Sequence, residues 1–254
     1  MISSAKKVTD LFLILAVGLS LVACSRQAGN QSGGEQQVAG SSLSGTIQIA
    51  GSTSVQPVSE ELAKAFMEKN NKVRINVAGG GSGAGIRAAQ TGTADIGTSS
   101  RELKAEEETV QEFVIALDGI AVIVHKDSII ADLKKEDIRK IFAGEITDWE
   151  DVGGETGPIR IFTREEGSGT RGAFEELVLG EQKISNKANV QNSTGAVRTA
   201  VAQDKNAIGY VSLGALNGDV KVVKVDGVEA TVANIKNKTY QISRPFIYMT
   251  REEP

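Results

Sequence analysis

The sequence predicts an α/β protein with a parallel sheet flanked by helices, and three observations carry that reading. Short β-rich runs alternate with helical patterns from Gly45 onward, which is how strands and crossover helices follow one another in a parallel sheet. Three Ser/Gly/Thr clusters each fall between a predicted strand and a predicted helix. The segment 45–254 has ordinary globular composition and room for two lobes of roughly 100 residues each.

Taken in order, residues 46–50 read as the first strand and 57–68 as the first helix, where Pro57 suits the opening turn and Val58, Leu62 and Phe66 make one apolar stripe. Strand 73–77 and helix 84–91 follow, the helix carried by Ile86 and Ala89. Strand 94–98 precedes a helical pattern over 103–111. A second series begins with strand 120–124, then a helix over 134–143 through Ile138, Ile141 and Phe142, and a strand over 159–163. Helices are expected over 170–179, through Phe174, Leu177 and Val178, and over 194–203, before the strand 207–211. No internal repeat recurs at a fixed period. Asp118-Gly119 and Ser212-Leu213-Gly214 are the expected crossings between lobes, or else plain surface turns. Lobe 1 is then 45–118 with 213–254, and lobe 2 is 119–212.

The N-terminus is a targeting segment rather than part of this fold. Lys6 and Lys7 precede an apolar run over 11–23 that ends in Leu21-Val22-Ala23-Cys24. The run is shorter than the ~20 residues a spanning helix needs. Residues 1–23 therefore read as a signal peptide. Cys24 is the only cysteine and sits where a lipobox thiol is acylated, so it is expected to become a lipid-bearing first residue; a free thiol behind an ordinary cleavage site is the alternative. Residues 24–44 are mainly Ser, Gly, Gln and Asn, too polar to repay their ordering by burial, and read as a flexible tether.

The formal charge is −4, aromatic residues make up 4% and no basic block occurs, so nucleic-acid binding lacks its electrostatic footprint. An anionic ligand must be held by local geometry. The three clusters offer that geometry. They are Gly51-Ser52-Thr53-Ser54 before the first helix, Gly79 to Gly85 before the second, and Glu166-Gly167-Ser168-Gly169-Thr170 before the 170–179 helix. A helix start presents unsatisfied N–H groups and a partial positive charge, hydroxyls add donors, and glycine lets an anion approach the backbone. One such loop is an ordinary cap and turn, but three on the strand-to-helix side lie where open α/β sheets bind ligands. A fourth group, Asp95 to Arg101, ends a strand. Arg164, four residues before Ser168, supplies a planar charged fork able to take two oxygens of an oxyanion.

These motifs resemble the short phosphate-binding lipoproteins of Pst-type ABC importers. The likeness runs from the lipobox through Gly51-Ser52-Thr53-Ser54, Gly81-Ser82-Gly83, Ala94-Asp95-Ile96-Gly97, Asp118-Gly119-Ile120-Ala121 and Arg164 to Thr170. It implies a periplasmic-binding-protein type II fold, two lobes each with a mixed, mostly parallel sheet, and a ligand in the cleft between them. It implies that Thr53, Ser54 and Ser82 donate from the first lobe, that Arg164 supplies the charge, and that Ser168, Gly169 and Thr170 ring the anion. Glu166 would hold Arg164. Many relatives carry Asp at the position of Ser100, where a carboxylate accepts the proton of hydrogen phosphate and repels sulfate; here a serine stands, with Asp95, Asp118 and Glu166 as other acceptors. Relatives also continue past the strand 246–250 into further helix, so the chain reads as shortened at its C-terminus.

The resemblance further implies inorganic phosphate and the membrane permease subunits of an importer as partners, a lipid anchor on the extracytoplasmic face of the cell membrane, a monomer, and neither cofactor nor metal. Sulfate, molybdate or tungstate is the alternative ligand. A phosphoester hydrolase is the rival from another class. His125, the only histidine, reads as a strand-end residue rather than a base, and no Gly-x-Ser-x-Gly frames Ser82 or Ser168. Gly80 to Gly85 has Walker A glycine spacing, but Ile86-Arg87 stands where Lys-Ser/Thr is required.

Overall fold

Strands and helices alternate because the runs rich in Ile and Val satisfy their backbones in ladders while the intervening amphipathic segments cover the faces. The computed structural model describes residues 43–253; the signal segment, Cys24 and nearly all of the tether lie outside the described residues. In order the elements are β1 (Gly45–Gly51), α1 (Gln56–Lys69), β2 (Val73–Gly79), α2 (Ser82–Thr91), β3 (Ile96–Ser99), β4 (Gln111–His125), β5 (Asp132–Leu133), α3 (Lys135–Ala143) and β6 (Arg160–Arg164). Then come α4 (Gly169–Phe174), continued by a π-helical turn at Glu175–Leu179, β7 (Asn189–Gln191), α5 (Thr194–Gln203), β8 (Ala207–Ser212), β9 (Val220–Val222), β10 (Lys224–Val225), α6 (Val232–Lys236) and β11 (Ser243–Thr250).

The main sheet runs β2-β1-β3-β11-β4-β8-β6-β7, with β9 beside β4. Each half holds a parallel set, β2-β1-β3 in one and β8-β6-β7 in the other. The antiparallel strands β4 and β11 join them. β4 pairs with β11 over 111–119, then changes partner at Gly119 and pairs with β8 over 120–124. The second half carries the larger core, in which Phe142, Phe174 and Tyr210 pack ring against ring beneath the end of β6.

Two sequence expectations need correction. Residues 103–111 are not a helix: a single 3-10 turn at Ala105–Glu107 is followed by the start of β4, because pairing with β11 decides the conformation of 111–119 over local propensity. The apolar stripe of α1 faces outward, with Leu62 52% exposed, while the small Ser59 and Ala63 seat the helix on the sheet. The chain also does not return to the first half after residue 212. β9 pairs with β4 at Ile123–His125, on the edge that β11 covers earlier, and this edge must be bonded once buried. The return comes at β11, where Ser243 faces Gly119 and Arg244 faces Asp118.

Candidate functional site

The loop after β1 is shaped first by backbone. Ser52 N–H donates to the Thr98 carbonyl at 3.1 Å and to its hydroxyl at 2.8 Å, which pins the turn to the end of β3. Gly81 precedes α2 with φ +88°, a conformation that favours glycine, and its N–H donates to the Gly51 carbonyl. The first two loops are thus stitched together by their own backbone.

The third loop comes from the other half and seats on them. Gly83 N–H donates to the Gly167 carbonyl at 3.0 Å. A side chain at Gly169 would collide with the Ser82 hydroxyl and lie 2.9 Å from that of Ser100, so only glycine permits this approach. Ser168 caps α4, its hydroxyl accepting from Arg171 N–H at 3.2 Å.

At the junction the hydroxyls form a buried ring. Ser54 Oγ lies 2.8 Å from both Thr170 Oγ1 and Thr194 Oγ1, and Thr53 Oγ1 lies 3.2 Å from Thr194 Oγ1. On the other side Ser52 Oγ donates to Ser100 Oγ at 2.8 Å, and Ser100 N–H donates to Ser82 Oγ at 3.0 Å. Hydroxyls can turn to donate or accept, so this ring can present several donors to an oxyanion without moving its backbone. A cavity of about 440 Å³ opens beside it, lined in part by Thr53, Gln56, Ser193, Thr194 and Arg198.

Arg164 ends β6 with its side chain only 2% exposed. Nε and Nη2 donate to the two carboxylate oxygens of Glu165 at 2.9 and 2.8 Å, and Nη1 donates to Thr194 Oγ1 at 3.1 Å. The expected partner, Glu166, is exposed instead. The adjacent residue wins because its carboxylate meets the fork edge-on in bidentate geometry. Tyr210 supports the same strand end: its hydroxyl lies 2.6 Å from Thr163 Oγ1 and accepts from Arg164 N–H, and burial pushes its pKa up to about 12, keeping it neutral.

The structure thus brings Thr53, Ser54, Ser82, Ser100, Arg164, Ser168, Gly169 and Thr170 to one junction. It does not bring Asp95, which is exposed and accepts from Gln48 N–H, nor does it leave Asp118 free, since that carboxylate is bonded to Arg244 and Ser212. Thr194 and Glu165 went unrecognised. The signal for Thr194 was Ser193-Thr194-Gly195 opening a helix, but the strand before it, Asn-Val-Gln, is three residues long and polar. Among the described residues no group of His, Cys, Asp and Glu is arranged to hold a metal ion.

The PBP superfamily domain matches residues 36–254. The phosphate-binding protein PstS of Bacillus subtilis is 30% identical over 241 residues, covering 91% of this chain and 79% of that protein. A candidate phosphate ABC transporter substrate-binding protein from Clostridium perfringens, solved with bound phosphate, superposes with a TM-score of 0.80 at 43% identity, covering 82% of this chain and 87% of that one. An ABC-type phosphate transport receptor from Vibrio cholerae superposes with a TM-score of 0.67 at 35% identity, over 82% and 87% of the two chains.

Proposed function

This chain belongs to the PBP superfamily and, within it, to the PstS-type phosphate-binding proteins, and we propose that it captures inorganic phosphate at the hydroxyl ring and delivers it to an ABC importer. The observation that carries this reading is the meeting of polar groups from both halves beside a buried guanidinium: Ser54 bonds Thr170, Ser82 packs against Gly169, and Arg164 bonds Thr194. An anion held by both sides favours the arrangement in which they touch.

In this reading Thr53, Ser54, Ser82, Ser100, Ser168, Gly169 and Thr170 supply hydroxyl and backbone donors, Thr194 adds one more, and Arg164 supplies charge. Glu165, not Glu166, holds the guanidinium in register. The lobes meet at Asp118-Gly119 and at the start of β11. The role is binding rather than catalysis, and the protein acts as a monomer. Residues 1–23 direct export, 24–44 tether the domain, and an acylated Cys24 holds it at the extracytoplasmic face of the membrane, where acyl chains supply the anchoring energy.

Calorimetric titration with phosphate, sulfate, molybdate and a phosphate ester tests the ligand. Saturable binding of phosphate ahead of the others supports it. Preference for another oxyanion, or for the ester, would reassign the site. Mass spectrometry of the mature N-terminus tests the anchor, with a first residue other than a modified Cys24 as the contrary result.

A further inference from the structure

We infer that Arg244 is a positioning residue of the anion site, orienting the Ser100 loop from behind and fixing the place where the two strands joining the halves cross. The inference rests on reading the hydroxyl ring as the phosphate site. Arg244 belongs to none of the glycine-serine motifs, and it lies far from them in sequence. In the fold it is 4% exposed and sits directly opposite Asp118 in the β4–β11 ladder.

Its guanidinium is used on two sides. Nε and Nη2 donate to Asp118 Oδ2 at 3.2 and 3.1 Å, and Nη1 donates to the Ser100 carbonyl at 2.8 Å. The other Asp118 oxygen accepts from the Ser212 hydroxyl at 2.8 Å, which ties in the end of β8. Arg244 therefore links both crossing strands to the loop that ends β3. The remaining polar groups of Ser100 already point into the ring, its N–H to Ser82 and its hydroxyl to Ser52. With the carbonyl fixed as well, the tilt of this peptide, and hence the direction of the Ser100 hydroxyl, is set by Arg244.

Charge gives the arrangement a sign that packing alone does not. Arg164 and Arg244 lie within electrostatic range of each other, since Arg164 acts to lower the Arg244 pKa, after burial and against the opposing pull of Asp118. An anion at Arg164 thus also feels Arg244, and Asp118 tempers that attraction. Removing the guanidinium weakens anion binding; neutralising Asp118 while keeping Arg244 strengthens it. A pair with a purely structural role has no reason to move affinity in opposite directions.

The test is phosphate titration of the purified wild-type protein and of Arg244→Gln, Arg244→Lys and Asp118→Asn, each with its thermal unfolding. We expect Arg244→Gln to bind severalfold more weakly, having lost both the anchor on the Ser100 carbonyl and a positive charge near the anion while Asp118 keeps its negative one. Arg244→Lys should lose less, keeping the charge without the fork. Asp118→Asn should bind a few-fold more tightly, roughly what one unmasked charge gives in a partly screened site. Wild-type affinity in folded Arg244→Gln overturns the inference, and so does weakening by Asp118→Asn. Should Arg244→Gln not fold, the Arg244→Met, Asp118→Asn double variant leaves no charge unpaired; with both charges gone it reads the loss of the Ser100 anchor alone, it must still bind phosphate measurably more weakly, and wild-type affinity in it overturns the inference. A wild-type protein that binds phosphate alongside unchanged variants sinks this inference alone, whereas a wild type that binds no oxyanion sinks the site reading and the inference with it.

Discussion

Arg164 is the charge in direct contact with the hydroxyl ring, and if the ring is the phosphate site its burial makes it decisive for the bound anion. Replacing it with alanine leaves the anion to neutral dipoles. Loss of charge-assisted hydrogen bonds worth about 1.5–3 kcal/mol should weaken phosphate binding at least about tenfold, measurable by calorimetry. Ser100 gives a prediction of the opposite kind. It is fully buried between Ser52 and Ser82, so Ser100→Asp sets an acceptor that suits a protonated phosphate oxygen and opposes the lone pairs of sulfate. The ratio of phosphate to sulfate affinity should rise in that variant; an unchanged or lower ratio counts against the placement of Ser100 at the ligand. The residues that meet at the junction stood out in the sequence because serine, glycine and arginine cluster there by type and spacing. Glu165 was passed over for Glu166 because spacing along a loop does not say which of two neighbouring carboxylates turns inward, and Arg244 was invisible because its meaning comes only from the strand it pairs with.

Helix starts and the glycines before them place those residues. Gly169 has no room for a methyl group against Ser82, and the two lie on loops from different halves, so Gly169→Ala should hinder their approach more than it disturbs either half. Phosphate affinity should fall severalfold or more, in line with the cost of about 1–3 kcal/mol for overpacking a close contact, while thermal stability changes less. The loop beyond β3 has a second support in Arg101, which donates to both oxygens of Glu107 at 2.7 and 2.8 Å. The Arg101 hydrogen bond, chiefly, holds the Glu107 carboxyl below its ordinary value of 4.5. A depressed folded-state pKa stabilises above the unfolded value and ceases to do so as pH falls through the folded one. The advantage of wild type over Glu107→Gln in denaturant unfolding, under about 1 kcal/mol after screening, should therefore be full above pH 4.5 and vanish in stronger acid. Most elements were readable from periodicity. Two exceptions share a cause: residues 111–119 and β9 take their conformation from β11 and β4, partners more than 90 residues away, and a local pattern carries no record of them.

Across the described residues the two parallel sets are joined within the sheet through β4 and β11, at a crossing that Asp118 and Arg244 staple. The α/β class and the periplasmic-binding-protein fold were legible from alternation and resemblance; the return point was not, because a long strand serving both halves looks like two separate short ones in sequence. Donors from both sides predict that phosphate closes the molecule, so small-angle scattering should show a smaller radius of gyration in saturating phosphate than without it. Equal radii would count against closure. A crystal structure grown with phosphate tests the binding site most directly. The phosphorus is expected at the junction, with its oxygens within hydrogen-bond reach of Ser54, Ser82, Thr170 and the Arg164 guanidinium, which then gives up its contact with Thr194. Phosphate bound elsewhere, such as the cavity lined by His125 and Lys205, with the hydroxyl ring still bonded to itself, would contradict it.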